Sequence, residues 1–188
     1  MRKALWIFVA AGVMACGLVG LKAHAFAAAD TLQPGAPAPN FTLPSQTETM
    51  VSLKDYKGKY VVLYFYPKDM TKGCTLEAHN FERDTAKYAA LNAVVLGVSL
   101  DTVDSHKTFC TKESLNFKLL ADPDHKVIDA YGVPISKFHD AKTDADVSIA
   151  KRDTFLIGPD GKVLKFWEVK SVETHSDEVL AAIQELKK

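Results

Sequence analysis

The segment Tyr60-Val61-Val62-Leu63-Tyr64-Phe65-Tyr66 constrains this chain more than any other. It is an unbroken run of β-branched, aliphatic and aromatic residues, closed by Pro67. A half-exposed strand would alternate apolar with polar side chains; a continuous run of this length suits a strand covered on both faces. Ala93-Val94-Val95-Leu96-Gly97-Val98-Ser99 repeats the pattern. Between them, Ala78, Phe81, Thr85, Tyr88 and Ala89 recur at helical spacing, predicting one helix over 73–91. Asp104 is placed to cap a further helix running to Ser114 that carries Phe109 and Cys110. Strand, helix, strand, helix predicts parallel strands with helices on both faces.

The C-terminal third changes style. Thr154–Ile157 and Val163–Trp167 flank Gly158-Pro159-Asp160-Gly161, whose turn residues predict an antiparallel hairpin. A last helix is expected from Ser176, with Val179, Leu180, Ile183 and Leu186 facing inward. The expected class is therefore α/β, with a central mixed sheet, helices on both faces and a thioredoxin-like arrangement.

The N-terminus reads differently. Arg2 and Lys3 precede an uncharged apolar run, Ala4 to Leu21, and Ala23-His24-Ala25 offers small residues for cleavage before Phe26. That pattern describes a secretory signal peptide over 1–25. A retained membrane anchor is the first alternative, since the run is nearly long enough to span. A lipoprotein processed at Cys16 is the second. Residues 26–35 form an extended lead-in to a single domain over 36–188, with Pro34, Pro37 and Pro39 lying about its start. The expected location is exported, in the periplasm, with membrane contact only through the N-terminal segment and a monomeric state.

Removing residues 1–25 takes away Arg2, Lys3 and Lys22 and no acid, leaving 20 basic against 23 acidic side chains, a formal charge of −3. A nucleic-acid partner would call for a strongly basic face instead. The histidines show no metal-binding spacing among themselves, and no Gly-rich phosphate loop is present, so no metal or cofactor is expected. Two cysteines, Cys74 and Cys110, remain. In an oxidising compartment a disulfide between them is chemically permitted.

Cys74 falls where a loop leaving a buried strand becomes a helix. Unpaired N–H groups and the helix dipole favour thiolate over thiol there. Gly73 before it would let backbone approach a small substrate. From position alone, a small buried hydrophobe is an equal reading of Cys74.

The flanking residues carry more. Pro67, Thr71 and Cys74 form Pro-x-x-x-Thr-x-x-Cys, and this segment resembles the peroxiredoxin family. Tyr64–Lys68, Gly73–Glu77, Val98–Asp101, Ala130–Val133 and Arg152-x-Thr154–Ile157 are similar to its peroxiredoxin Q, or bacterioferritin comigratory protein, branch. The resemblance implies a cofactor-free thiol peroxidase of thioredoxin-like fold acting on hydrogen peroxide or organic hydroperoxides. It implies Cys74 as the peroxidatic cysteine, Thr71 as a hydrogen-bond donor, Arg152 as a fixed positive charge and Pro67 as a shield against water. Glu77 would orient Arg152 or a proton.

Many members of that branch carry a second cysteine five residues after the first; here His79 stands there. Cys110, 36 residues after Cys74, matches the other pattern, a resolving cysteine on the following helix. The resemblance thus implies a Cys74–Cys110 disulfide, re-reduced by a thioredoxin-like dithiol donor. A one-cysteine peroxidase resolved by an external thiol and a non-enzymatic thioredoxin-like interaction module are the alternatives. Cysteines on separate helices rarely meet disulfide geometry, so both helices are expected to unwind locally as the bond forms.

Overall fold

The structure is a computed structural model that describes residues 32–141 and 143–188. The expected signal peptide, Cys16 and most of the lead-in lie outside the described residues. Two long apolar runs become the centre of a five-stranded sheet: β3 (Tyr60–Phe65) pairs in parallel with β4 (Ala93–Ser99), and β4 with β5 (Lys118–Ala121). On the other side β8 (Asp153–Ile157) runs antiparallel to β3, and β9 (Val163–Glu168) antiparallel to β8. The order β5-β4-β3-β8-β9 is mixed, as expected.

The pleat of β3 explains its unbroken apolar run. Val62, Tyr64 and the following Tyr66 enter one buried cluster, with side chains from α1 (Lys72–Arg83), α2 (Thr85–Ala90), α3 (Val103–Glu113) and α5 (His175–Leu186). Val61, Leu63 and Phe65 enter a second, with α4 (Lys126–Ala130) and the hairpin of β1 (Thr42–Pro44) and β2 (Met50–Ser52). Alternate residues thus face opposite layers, and both layers are apolar. The fold is thioredoxin-like. A separate hairpin, β6 (Ile135–Asp140) with β7 (Ala145–Ala150), delivers the chain to β8.

Some expectations need correction. The helix over 73–91 breaks at Asp84, which sits at φ −100° and ψ 5° and ends α1 while starting α2. Asp84 is fully buried because Arg83, Lys87 and Ser176 all bond its carboxylate, which holds its pKa well below the usual range. Ala89 is exposed because the break rotates the second helix. Thr102, not Asp104, caps α3, its hydroxyl accepting the Ser105 amide at 3.3 Å; Asp104 lies in the first turn. Leu186 is 51% exposed, at the last turn of α5, where no further element among the described residues covers it.

The start of the domain is tied down rather than trailing. Gly35 N donates to Val163 O (2.8 Å) and Ala38 N to Gly161 O (2.9 Å), so residues 35–38 run along the entry to β9.

Candidate active site

β3 ends against β4 and releases the loop Pro67–Thr71. Met70 turns that loop with φ 58°, an uncommon value for a side-chain-bearing residue. Thr71 occupies the N-cap position of α1 in extended conformation but makes no side-chain cap; its hydroxyl donates to Lys68 O at 3.0 Å. Cys74 follows in the first turn and is 1% exposed. Pro67 is half-buried beside the loop.

Arg152 comes from the other side of the sheet, in the two-residue link between β7 and β8. Its backbone carbonyl accepts Val169 N (2.9 Å), and the preceding Lys151 N donates to Pro134 O (2.8 Å), so the link is held at both ends. The guanidinium then forks. Nη2 donates to Cys74 Sγ at 3.1 Å, and Nη1 donates to Glu77 Oε2 in a short ion pair. A lysine could not offer two donors in one plane. Burial opposes the charge of Arg152, but Glu77 and Cys74 beside it raise its pKa, so the cation is secure.

Glu77 is one helical turn from Cys74 and 1% exposed. Burial outweighs Arg152 and pushes its carboxyl up to about 7. Only one of its oxygens is engaged; Oε1 finds no hydrogen-bond partner among the described residues. The two carboxyl oxygens are thus unequal, and the group can hold a proton near neutral pH. Gly73 is not forced by crowding here: a Cβ on it would stand 3.6 Å from Arg152 Nη2, ordinary contact.

Cys74 and Cys110 are both free thiols and belong to one buried cluster, which also holds Tyr64, Tyr66 and Phe109. Cys110, on α3, is 7% exposed. Burial, with Asp69 and Glu82 nearby, pushes its thiol up to about 12. His79 turns away from Cys74 and pairs with Glu113 of α3 at 3.1 Å. Glu82 reinforces that contact: its carboxylate accepts both the backbone and side-chain N–H of Asn116, each at 2.7 Å. The helices that carry the two cysteines are therefore clipped together at their C-terminal ends.

One group was not singled out from the sequence. Asp69, in the loop before Cys74, accepts from Tyr66 Oη (2.7 Å) and Ser105 Oγ (2.7 Å) and contacts His106 Nδ1 (2.8 Å). Its own amide donates to Asp101 Oδ2 at 3.0 Å. Three of these four links cross from the Cys74 loop to the start of α3 or the turn before it; the Tyr66 bond is local. The only sequence signal was His106 standing four residues before Cys110.

Residues 34–166 match the family model described as AhpC/TSA. The chain is 40% identical over 156 residues to Peroxiredoxin Bcp of Bacillus subtilis, covering 83% of this chain and 98% of that protein. Its fold is similar to that of Peroxidoxin BcpB from Mycobacterium tuberculosis, with TM-score 0.74 and 31% identity over 84% of this chain and 99% of that one. It is also similar to two cysteine-to-serine mutants of Xanthomonas campestris Peroxiredoxin Q, substituted 36 positions apart. The first gives TM-score 0.70 and 35% identity over 79% of this chain and 92% of that one. The second gives 0.69 and 35% over 77% and 90%.

Proposed function

The chain belongs to the AhpC/TSA family as a peroxiredoxin, an oxidoreductase that reduces peroxides with thiol chemistry, and we propose that Cys74 is its attacking thiolate. The observation that carries this assignment is the Arg152 fork, which joins Cys74 Sγ to the buried Glu77. In the proposed first step the Cys74 sulfur bonds to one peroxide oxygen as the O–O bond breaks. The sulfur is oxidised to a sulfenic acid, and the departing oxygen takes up a proton. Arg152 stabilises the negative charge that moves onto the leaving oxygen during attack. Glu77 fixes the guanidinium plane. Thr71 exchanges its bond to Lys68 O for one to the peroxide, and Pro67 keeps bulk water from the sulfur.

In the second proposed step Cys110 attacks the Cys74 sulfur, releasing water and closing a disulfide. Support comes from the shared buried cluster and from the 36-residue separation, which equals that between the substituted cysteines of the Xanthomonas protein. A thioredoxin-like dithiol donor then restores both thiols. Cysteines on separate helices rarely meet disulfide geometry, so closure is proposed to unwind both helices locally. Residues 1–25 are proposed to direct export, so the donor would be a periplasmic one; a purified periplasmic form beginning at Phe26 is expected, and retention of Met1 would contradict it.

Peroxide consumption with an exported thioredoxin-like donor tests the division of labour. Cys74→Ser is expected to abolish turnover. Cys110→Ser is expected to lose turnover with the dithiol donor. Undiminished activity of Cys110→Ser with a small thiol and no donor protein would favour the one-cysteine scheme. Peroxide consumption unaffected by Cys74→Ser would refute the assignment altogether.

A further inference from the structure

The resolving step poses a proton problem. A thiol pushed up to about 12 leaves only about one molecule in 10⁵ as thiolate at neutral pH. Yet the thiolate is the nucleophile. Burial is the main cause, so Cys110 gains from a base that takes its proton before α3 opens, and the two nearby carboxylates, Asp69 and Glu82, are already engaged by other donors.

His106 stands one helical turn before Cys110 on the same helix. Residues at i and i+4 share a face, and each side chain leans toward the helix N-terminus, so Cys110 leans toward the turn that carries His106. His106 is fully buried. Its Nδ1 lies 2.8 Å from Asp69 Oδ2 and 3.3 Å from Tyr66 Oη. A carboxylate oxygen accepts, so the neutral imidazole that donates to it from Nδ1 has its lone pair on Nε2. Nε2 finds no hydrogen-bond partner among the described residues, Cys110 Sγ included, so the two must close on one another before a proton can pass. A buried polar atom without a partner calls for an explanation, and a carboxylate that orients an imidazole with its far nitrogen left open has the geometry of an activated nucleophile's base.

We propose that His106, oriented by Asp69, is the general base that takes the proton from Cys110 in the resolving step. The inference rests on the assignment of Cys110 as the resolving cysteine. The Cys110 S–H bond breaks and its proton moves to His106 Nε2. The sulfur lone pair then forms the S–S bond to Cys74 as that residue's S–O bond breaks. The leaving hydroxide takes up a proton and departs as water. The Cys74 sulfur is reduced and the Cys110 sulfur oxidised, each by one electron equivalent. Asp69 is a positioning residue: it sets the imidazole tautomer and stabilises the imidazolium that forms. It also ties the Cys74 loop to the helix of Cys110, so both partners of the reaction are read by one carboxylate.

The test uses the full chain, treated with one equivalent of hydrogen peroxide, quenched with an alkylating agent at intervals and analysed by peptide mass. Cys74 oxidation and Cys74–Cys110 disulfide formation are timed separately. His106→Asn keeps a donor for Asp69 but removes the base. It is expected to slow disulfide formation by about 10²-fold or more, the usual contribution of general base catalysis. More Cys74 should then proceed to sulfinic acid at excess peroxide. The pH profile gives a readout that a purely structural role would not move. The groups facing His106 are Asp69, itself bonded by Ser105, and Tyr66; those facing Cys110 are Asp69, Glu82 and Tyr64. These remain in the variant, so its disulfide rate should climb into the alkaline range of a thiol and depend on pH more steeply than the wild-type rate. Asp69→Asn, which can present the wrong hydrogen-bonding atom to Nδ1, should move the same rate and profile in the same direction and serves if the first variant does not fold. An unchanged disulfide rate in folded variants, or equal slowing of both steps, would overturn the proposal. A wild type that forms no Cys74–Cys110 disulfide would overturn it together with the assignment of Cys110, whereas a variant-insensitive disulfide would overturn the base alone.

Discussion

Replacing Arg152 by lysine separates charge from geometry. Arg152 Nη2 lies 3.1 Å from Cys74 Sγ, and the side chain is 16% exposed. A lysine retains a positive charge. It loses the fork: one ammonium on a different stem cannot hold Cys74 Sγ and Glu77 Oε2 in the same plane. The loss is that of one hydrogen bond to a charged group, about 1.5–3 kcal/mol. At about 1.4 kcal/mol per tenfold, the second-order rate constant for Cys74 oxidation should fall roughly 10- to 150-fold in Arg152→Lys. Arg152→Met, which removes charge and fork together, should fall further. Stopped-flow measurement under single-turnover conditions reads this step without the donor protein. An Arg152→Lys rate within twofold of wild type would refute the reasoning, since charge alone would then suffice.

Two further predictions concern stability. Glu77 titrates at about 7 in the folded protein against an ordinary value of 4.5. Between those values the folded state holds a proton the unfolded chain has lost, so stability falls as pH rises from about 4.5 to 7, by up to about 3 kcal/mol. Buried Asp153, raised to about 6, acts in the same direction, and buried His175, lowered to about 4, acts in the opposite one. The difference between wild type and Glu77→Gln in denaturant melts isolates the term: the variant should gain on the wild type as pH rises from 5 to 8, and parallel profiles would count against it. At Gly97, a Cβ would stand 2.6 Å from Leu119 Cδ2 and 2.7 Å from Tyr64 Cζ. Gly97→Ala should therefore cost about 1–3 kcal/mol and lower Tm by several degrees, and an unchanged Tm in a thermal melt would show that Tyr64 can yield.

The sheet was legible because its signals are local. The unbroken run of β3, the repeat in β4 and the Gly158–Gly161 turn each follow from adjacent residues. The Pro67, Thr71 and Cys74 spacing was legible for the same reason. The break at Asp84 was not, because it depends on Ser176, 92 residues away, whose hydroxyl donates to the buried Asp84 carboxylate. The β6–β7 hairpin was missed because its strands are mostly exposed and mix polar with apolar residues without a clean alternation. Arg152 could be named from its neighbours, but its fork to Cys74 and Glu77 could not, since it joins positions 75 and 78 residues apart. His106 was not legible because the spacing of the histidines among themselves carries no signal, and its partner Asp69 lies in a loop 37 residues away.

Thiol counting tests the central claim most directly. The full chain carries three cysteines, Cys16, Cys74 and Cys110. After one equivalent of peroxide, the denatured wild-type protein should retain one titratable thiol, and Cys110→Ser should fall from two to one. Loss of a single thiol in the wild type would contradict disulfide closure, and loss of none would contradict Cys74 as the residue that meets the peroxide.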